Sequence, residues 1–147
     1  MKFNLMLFEG TDIIKFGMTS DEIQSLLKVK PELFKKSEFD LYETEDYNGI
    51  CHVYYEMDKN NILVCAAIEF FMPSQVFMDH IQLIGEKRAI IEELFKSKFE
   101  DCISDASGSS SKKYDISFYS PEKEIQSVYI ARKGYSEEQE EYYKKAF

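Results

Sequence analysis

The 147-residue sequence is poor in the residue types from which most catalytic and metal sites are built, with two histidines, three cysteines and six glycines. It contains no glycine-rich phosphate loop, dinucleotide-binding fingerprint or calcium loop. His52 directly follows Cys51 on an expected strand, where neighbouring side chains point to opposite faces, so the two cannot form a thiolate and imidazole pair. His80 has no companions at metal-ligand spacing. We therefore expect no catalytic residue, no metal site and no cofactor.

Long apolar runs are also missing, since the longest falls far short of the roughly 18 residues that suggest a membrane-spanning helix. The stretch from Met1 to Gly10 has one basic residue and no small-residue cleavage site, so we expect a first strand and not a signal peptide. Cys51, Cys65 and Cys102 lie in or beside apolar segments, which favours reduced, packed thiols over a disulfide framework. These features indicate a soluble, cytoplasmic protein.

Basic residues are in the minority, with 18 Lys and Arg against 27 Asp and Glu and a formal net charge of −9. A charge of this sign repels phosphate groups, so we expect neither nucleic acid nor an anionic membrane as a partner. It favours a basic protein partner, because complementary charge speeds encounter and disfavours wrong pairings. A need for solubility would explain the same excess of acid.

What the sequence does contain indicates one α+β domain spanning 1–147. The length is typical of a single domain, and 44% hydrophobic residues suffice for a core. Thr19 and Glu22 form a capping-box pattern that predicts the start of a helix, with Ile23, Leu26 and Leu27 on its buried face. Alternating residues from 39 onward, interrupted by turn signals at 46–49 and 58–61, predict three antiparallel strands.

A second half follows that resembles the first. Residues 81–96 align with 13–28 without a gap (85 − 17 = 68), pairing Gly17 with Gly85 and Ile23 with Ile91. This second copy continues as a helix with Leu94 and Phe95 on its buried face, then an irregular loop at 107–111 and two strands. We predict tandem units at 11–73 and 79–135, each a helix followed by a β-hairpin or meander. Both helices would pack on one face of a single antiparallel sheet, with 136–147 as a short helical tail; a chance match between two amphipathic helices is the alternative.

Strand alternation gives this sheet one apolar face and one face rich in tyrosines and acids. Tyrosine combines a large contact area with a hydrogen-bonding tip and is enriched in binding hot spots. We therefore predict a partner-binding site on this face, the alternative being an exposed face with no partner. The residues expected there are His52, Tyr54, Glu56, Glu69, Asp115, Tyr119 and Tyr129.

A second candidate site is the acidic segment 38–46, which has five carboxylates and no base. Its partner-binding residues would be Glu43, Glu45, Asp46 and Tyr47, on an expected edge strand and its turn. Acid on an edge strand also prevents aggregation with other strands, and this is the competing explanation.

Two segments carry a resemblance to known proteins: Phe-Gly-Met-Thr-Ser-Asp-Glu-Ile at 16–23, and residues 127–135. Together they resemble a group of small uncharacterised bacterial proteins, some of which lie beside polymorphic or contact-dependent toxins as candidate immunity proteins. The tandem plan is similar to that of the β-lactamase inhibitor protein family, whose members bind a protein partner across the open face of a sheet. The resemblance implies a non-enzymatic immunity or inhibitor protein that blocks a toxin by stoichiometric binding. The partner would be a basic domain of that toxin. A small-ligand-binding or regulatory module is the alternative, and an unrecognised enzyme is the third.

Overall fold

The structure is a computed structural model that describes residues 1–146; residue 147, the end of the expected tail, lies outside the described residues. Within 1–146 there are three helices, α1 (Ser20–Leu27), α2 (Arg88–Lys98) and α3 (Tyr135–Ala146). The strands, numbered β1 to β12, are Lys2–Met6, Gly10–Thr11, Glu32–Phe34, Thr44–Asp46, Cys51–Met57, Leu63–Phe71, Gln75–Met78, Ile81–Gln82, Ile103–Ser104, Gly108–Ser111, Ile116–Tyr119 and Ser127–Ala131. The predicted α+β class is therefore confirmed, and the chain is mostly sheet.

The strands form two sheets. The large sheet has eight strands in the order β3-β4-β5-β6-β12-β11-β10-β9, with every neighbouring pair antiparallel. The small sheet has the order β2-β1-β7-β8, and its central pair β1 and β7 is parallel. The prediction of a single antiparallel sheet is wrong, because the N-terminal strand pairs with β7 instead of joining the meander.

The order of elements is the same in the two halves of the chain. Two short strands, a helix and four strands of the large sheet come first as β1 to β6 with α1, and then as β7 to β12 with α2. Gly17 and Gly85, which the sequence match aligns, both have positive φ, 95° and 84°. Gly17 donates its N–H to the carbonyl of Cys65 in β6, and Gly85 donates to that of Ile125, which precedes β12; both distances are 2.9 Å. The halves have more strands than predicted, and their origin by duplication stays a prediction.

The main core lies between one face of the large sheet and the layer formed by α1, α2 and the small sheet. α1 begins with the predicted capping box, and Ile23 and Leu27 are buried in this core. Ile91 and Phe95 of α2 lie in the same cluster. Leu26 is 42% exposed, contrary to expectation, because a helix of eight residues presents a narrow buried face.

The opposite face of the large sheet has a second, smaller cluster that holds α3. A β-bulge at Tyr54 and Tyr55 shifts the register, so Cys65 faces the main core while Ala66 joins the second cluster. Strict alternation along this strand predicts the reverse, with Ala66 on the side that faces α1 and α2 and Cys65 on the other side. Tyr135 of α3 packs in the second cluster, so the third helix, for which the sequence predicted no face, lies on the face opposite to α1 and α2.

Residues 107–111, predicted as an irregular loop, contain the strand β10 instead. A Cβ placed on Gly108 would lie 1.9 Å from the carbonyl oxygen of Phe118, so the glycine permits the close approach of β10 to β11. Ser109 and Ser111 are buried at this strand, and Ser111 donates a hydrogen bond to Asp101 at 2.6 Å. Polar composition alone therefore misidentified a paired strand as a loop.

Candidate functional site

The polar face of the large sheet has an aligned row of side chains beside α3. Residues directly opposite one another on antiparallel strands project to the same face. The strand register aligns one residue from each of five neighbouring strands. In the order β10, β11, β12, β6 and β5, the row is Ser110, Ser117, Tyr129, Glu69 and His52. Three residues predicted for the site, His52, Glu69 and Tyr129, are thus brought together across strands that are distant in sequence.

Glu69 is the centre of this row. The hydroxyl of Tyr54 donates to its Oε1 at 3.2 Å, and that of Ser127 donates to its Oε2 at 3.0 Å. The ammonium of Lys36 lies 3.4 Å from Oε1 and also 4.7 Å from the centre of the Tyr54 ring. Lys36 was not identified from the sequence, since its contact with Glu69 joins a loop to a strand 33 residues away.

We define the open face as the surface beside α3 around Glu69, Ser117, Tyr119, Ser127 and Tyr129. Ser127 is buried, and Tyr129 lies at the border with α3, where it packs in the second cluster with its hydroxyl 3.4 Å from that of Ser136. The open face contains a cavity of about 230 Å³ lined by its five residues together with the turn and first residues of β10. Tyr119 is 49% exposed. This arrangement presents aromatic area, hydroxyls and a carboxylate on one rigid sheet, which are the features of a protein-binding surface.

Asp115 does not belong to the open face, contrary to the prediction. Its side chain is buried, and its carboxylate accepts hydrogen bonds from the N–H groups of Gly134 at 2.7 Å and Ser136 at 3.2 Å. These are free N–H groups at the start of α3, where a negative charge is stabilised. Asp115 precedes β11 with φ of 48°, so the expected alternation does not extend to it. Its role is to anchor α3.

Glu56 is linked to α3 through an ion pair with Arg132. The guanidinium of Arg132 donates to both of its carboxylate oxygens, with 2.6 Å between Nη2 and Oε1, and also to Glu138 of the helix. The hydrogen bond from Arg132 to Glu56 is the main cause that raises the pKa of this guanidinium. Glu56 therefore lies on the predicted face but is occupied by an internal partner.

A groove of about 330 Å³ separates α3 from the segment 36–44. Five tyrosines line it, at 42, 54, 55, 135 and 143, with the pair of Arg132 and Glu56. The C-terminal end of α3 is held across this groove, since Tyr142 donates to the carbonyl of Phe39 at 2.7 Å and Tyr143 donates to Asp40. The groove is half-open, and both walls are tied together by these contacts.

His52 and Tyr54 are more deeply packed than predicted. The imidazole of His52 lies between the rings of Phe34 and Phe71, with centroid distances of 5.0 and 4.6 Å. Burial lowers the pKa of His52, and its Nδ1 atom has no hydrogen-bond partner among residues 1–146. Tyr54 packs against the alanines of the second cluster, and burial raises its pKa. Truncation of Tyr54 would therefore affect stability, and it is a poor probe of binding.

The acidic segment does not form the predicted edge site. β3 pairs with β4 and covers it, so β4 is not an edge strand. Glu45 is buried in the core, where its carboxylate accepts hydrogen bonds from the hydroxyls of Ser20, Tyr47 and Tyr55. Tyr47 is fully buried. Its pKa is raised mainly by this burial and, to a smaller extent, by the hydrogen bond to Glu45. Of the carboxylates predicted for this site, Glu43 stays exposed and Asp46 is half-buried; Glu38, earlier in the segment, is also exposed.

Cys51 and His52 do not form a thiolate and imidazole pair. Cys51 lies in the main core, where burial raises the pKa of its thiol to about 12, and His52 lies on the other face, as predicted. Among residues 1–146, no group of three or more His, Cys, Asp or Glu side chains could hold a metal ion. Over the same residues, none of the helices has the length and apolar character needed to cross a membrane.

No family model, curated protein or solved structure matches this chain. The resemblance to immunity proteins and to the β-lactamase inhibitor plan therefore stays a prediction.

Proposed function

We propose that the protein is a non-enzymatic binding protein of the immunity or inhibitor type, which neutralises a basic protein partner in the bacterial cytoplasm by stoichiometric occlusion. The observation that carries the proposal is the open face, where exposed Tyr119 adjoins Tyr129, Ser127 and the central carboxylate of Glu69. Affinity, and not turnover, would then be the activity of the molecule.

The physical basis is the combination of a rigid aromatic surface with negative charge. Hot spots at protein interfaces are enriched in tyrosine, because a large ring is buried at a low cost in side-chain entropy. The neighbouring carboxylate and the net charge of −9 would steer a basic partner to this surface and set its orientation. A toxin that acts on nucleic acid has such a basic surface, since it must itself bind phosphates.

A small-ligand-binding or regulatory module is the second candidate, and the groove beside α3 is the observation that favours it. The groove has about 330 Å³ of space and five tyrosines, which suit an aromatic or cationic small molecule. The low-molecular-weight fraction of a host lysate would then raise the melting temperature of the protein, because a ligand that binds only the folded state stabilises it. If the protein is an inhibitor, the low-molecular-weight fraction should leave the melting temperature unchanged and the protein fraction should raise it.

The test is capture of the partner with the protein tagged at its exposed N-terminus, followed by calorimetric titration of the purified partner. The proposal predicts a basic protein that binds one to one. Tyr119→Ala should weaken binding by on the order of 2 kcal/mol, as a hot-spot truncation does. Leu33→Ala is the matched control, since Leu33 is 56% exposed but lies on β3, at the far edge of the sheet. Equal affinities for the wild type and both variants would contradict the proposed interface.

A further inference from the structure

The cavity in the open face has a composition suited to one kind of side chain. Two carboxylates, Glu69 and Asp105, line it together with serines and the rings of Tyr119 and Tyr129. None of the described residues that line it is basic. The cavity is therefore negatively charged and rich in oxygen acceptors, while its aromatic rings give it walls against which a flat group can stack.

Several of these oxygens have no partner inside the protein. Within residues 1–146 the side-chain hydroxyls of Ser110, Ser117 and Tyr119 make no hydrogen bond. Asp105 uses its Oδ1 to accept from Ser107 and from the N–H of Gly108, and its Oδ2 accepts no hydrogen bond in the described chain. These atoms are available to a ligand that brings several N–H donors.

The walls of the cavity are held in place from behind. Arg88, at the start of α2, donates to the carbonyls of Ala106 and Ser120 at 2.8 Å each, which fixes the turn that forms the rim. The hydrogen bond from Ser107 lowers the pKa of Asp105, so this carboxylate is charged at neutral pH. The floor is the paired row of Ser110, Ser117 and Tyr129 on adjacent strands. A ligand would therefore meet a preformed site and little would have to be ordered on binding.

The protein already shows which charge this position accepts. Lys36 reaches Glu69 from the side of the β3 to β4 connection, with 3.4 Å between Nζ and Oε1, and lies over the ring of Tyr54. Its side chain is 45% exposed, so it satisfies Glu69 from outside the cavity and leaves the cavity itself empty of cations. A cation from another molecule can approach the same carboxylate from the open side.

From this geometry we infer that the cavity is a recognition pocket for an arginine side chain of the basic partner, an inference that rests on the proposed function. A guanidinium has five N–H donors in a planar fork, which can pair with a carboxylate and with several hydroxyls at once. Its flat face can stack on the tyrosine rings. A lysine ammonium would meet the charge but would use fewer of the acceptors.

The pocket can be tested without the partner, by nuclear magnetic resonance titration of the free protein with N-acetyl-arginine methylamide. The inference predicts saturable shifts confined to the amides of β10, β11, β12 and Glu69. The neutral analogue N-acetyl-citrulline methylamide, which has nearly the same shape, should give none. Shifts of equal size and position with both probes would overturn the inference, because they would show that charge recognition is absent.

Variants locate the site within this experiment. Glu69→Gln should lower the affinity for the arginine probe by about tenfold, as expected for loss of a charge-assisted hydrogen bond. Glu43→Gln removes an exposed carboxylate outside the cavity and should change nothing. If Glu69→Gln fails to fold, Ser117→Val is the second variant, because it replaces an unpaired hydroxyl with a side chain that is favoured in strands. It should also weaken binding of the arginine probe. Equal responses of the Glu43 and cavity variants would overturn the inference.

The outcome also separates this inference from the proposed function. A captured partner that binds Glu69→Gln as tightly as wild type, although Tyr119→Ala binds weakly, would leave the inhibitor proposal standing and remove the arginine pocket. Binding of the arginine probe to the cavity with no protein partner of the open face would support the pocket and contradict the inhibitor proposal.

Discussion

The anchoring of α3 by Asp115 provides the sharpest stability test in the molecule. Its carboxylate is buried and accepts from the N–H groups of Gly134 and Ser136, at the start of the helix. Asp115→Asn retains the shape and tolerates the positive φ, whereas Asp115→Ala removes both acceptors and adds strain at a φ of 48°. Asn keeps one acceptor oxygen in place of two, so the variants separate the loss of the charge and one acceptor from the loss of both acceptors.

The expected magnitude follows from these contacts. A hydrogen bond to a charged group contributes about 1.5–3 kcal/mol, and a negative charge at a helix N-terminus contributes up to about 2 kcal/mol when partly buried. The two terms describe overlapping interactions, and the contact at 3.2 Å is the weaker one. We expect a loss of about 3 kcal/mol for Asp115→Ala and about 2 kcal/mol for Asp115→Asn.

Chemical denaturation together with amide hydrogen exchange measures this loss and shows where it acts. Exchange should speed up in α3 before it does in the main core, because the lost contacts hold the helix to the second cluster. Unchanged unfolding free energies together with unchanged protection of α3 in Asp115→Ala would refute the anchoring role. Faster exchange throughout the core with no preference for α3 would refute the local character of the anchor.

Three further outcomes test the core. Leu27→Asp should cost about 4 kcal/mol or more by denaturation, because it buries an unpaired charge, whereas Leu26→Asp on the exposed side of the same helix should cost less than about 1 kcal/mol. Glu45→Ala should cost about 2–4 kcal/mol because it leaves three buried hydroxyls unpaired, whereas Glu43→Ala, two residues away and exposed, should be neutral; similar values for the two would contradict the buried network. Burial lowers the pKa of His52 below 6.5, so its contribution to stability is complete above about pH 6.5 and is lost as the pH falls. The fall in unfolding free energy from neutral pH to about pH 5 should be smaller in His52→Gln, and an equal fall would contradict this assignment.

The sequence predicted the features that depend on local chemistry. The capping box at Thr19, the turns of the meander and the alternation of β5 are confirmed, because each is encoded by residues close together in the chain. The same alternation correctly placed Tyr129 and Glu69 on the polar face. Local patterns were therefore sufficient for the strands that form the middle of the large sheet.

The predictions that failed depend on contacts between distant segments. The parallel pairing of β1 with β7 and the bulge beside Tyr54 have no signature in the local pattern of either strand. Asp115 and Glu45 were expected at the surface because carboxylates are seldom buried, but each finds donors supplied by another element. Where a buried acid has such partners, its sequence neighbours do not reveal them.

We propose that the open face, and not the acidic segment, binds a basic protein. The most direct measurement is the dissociation constant of the purified partner with Tyr119→Ala and with Glu43→Lys, each at low and at high salt. We expect a large, salt-independent loss of affinity for Tyr119→Ala. For Glu43→Lys we expect a small loss of affinity that disappears at high salt, since an exposed charge acts through a screened field. Abolished binding in Glu43→Lys together with wild-type affinity in Tyr119→Ala would contradict this proposal.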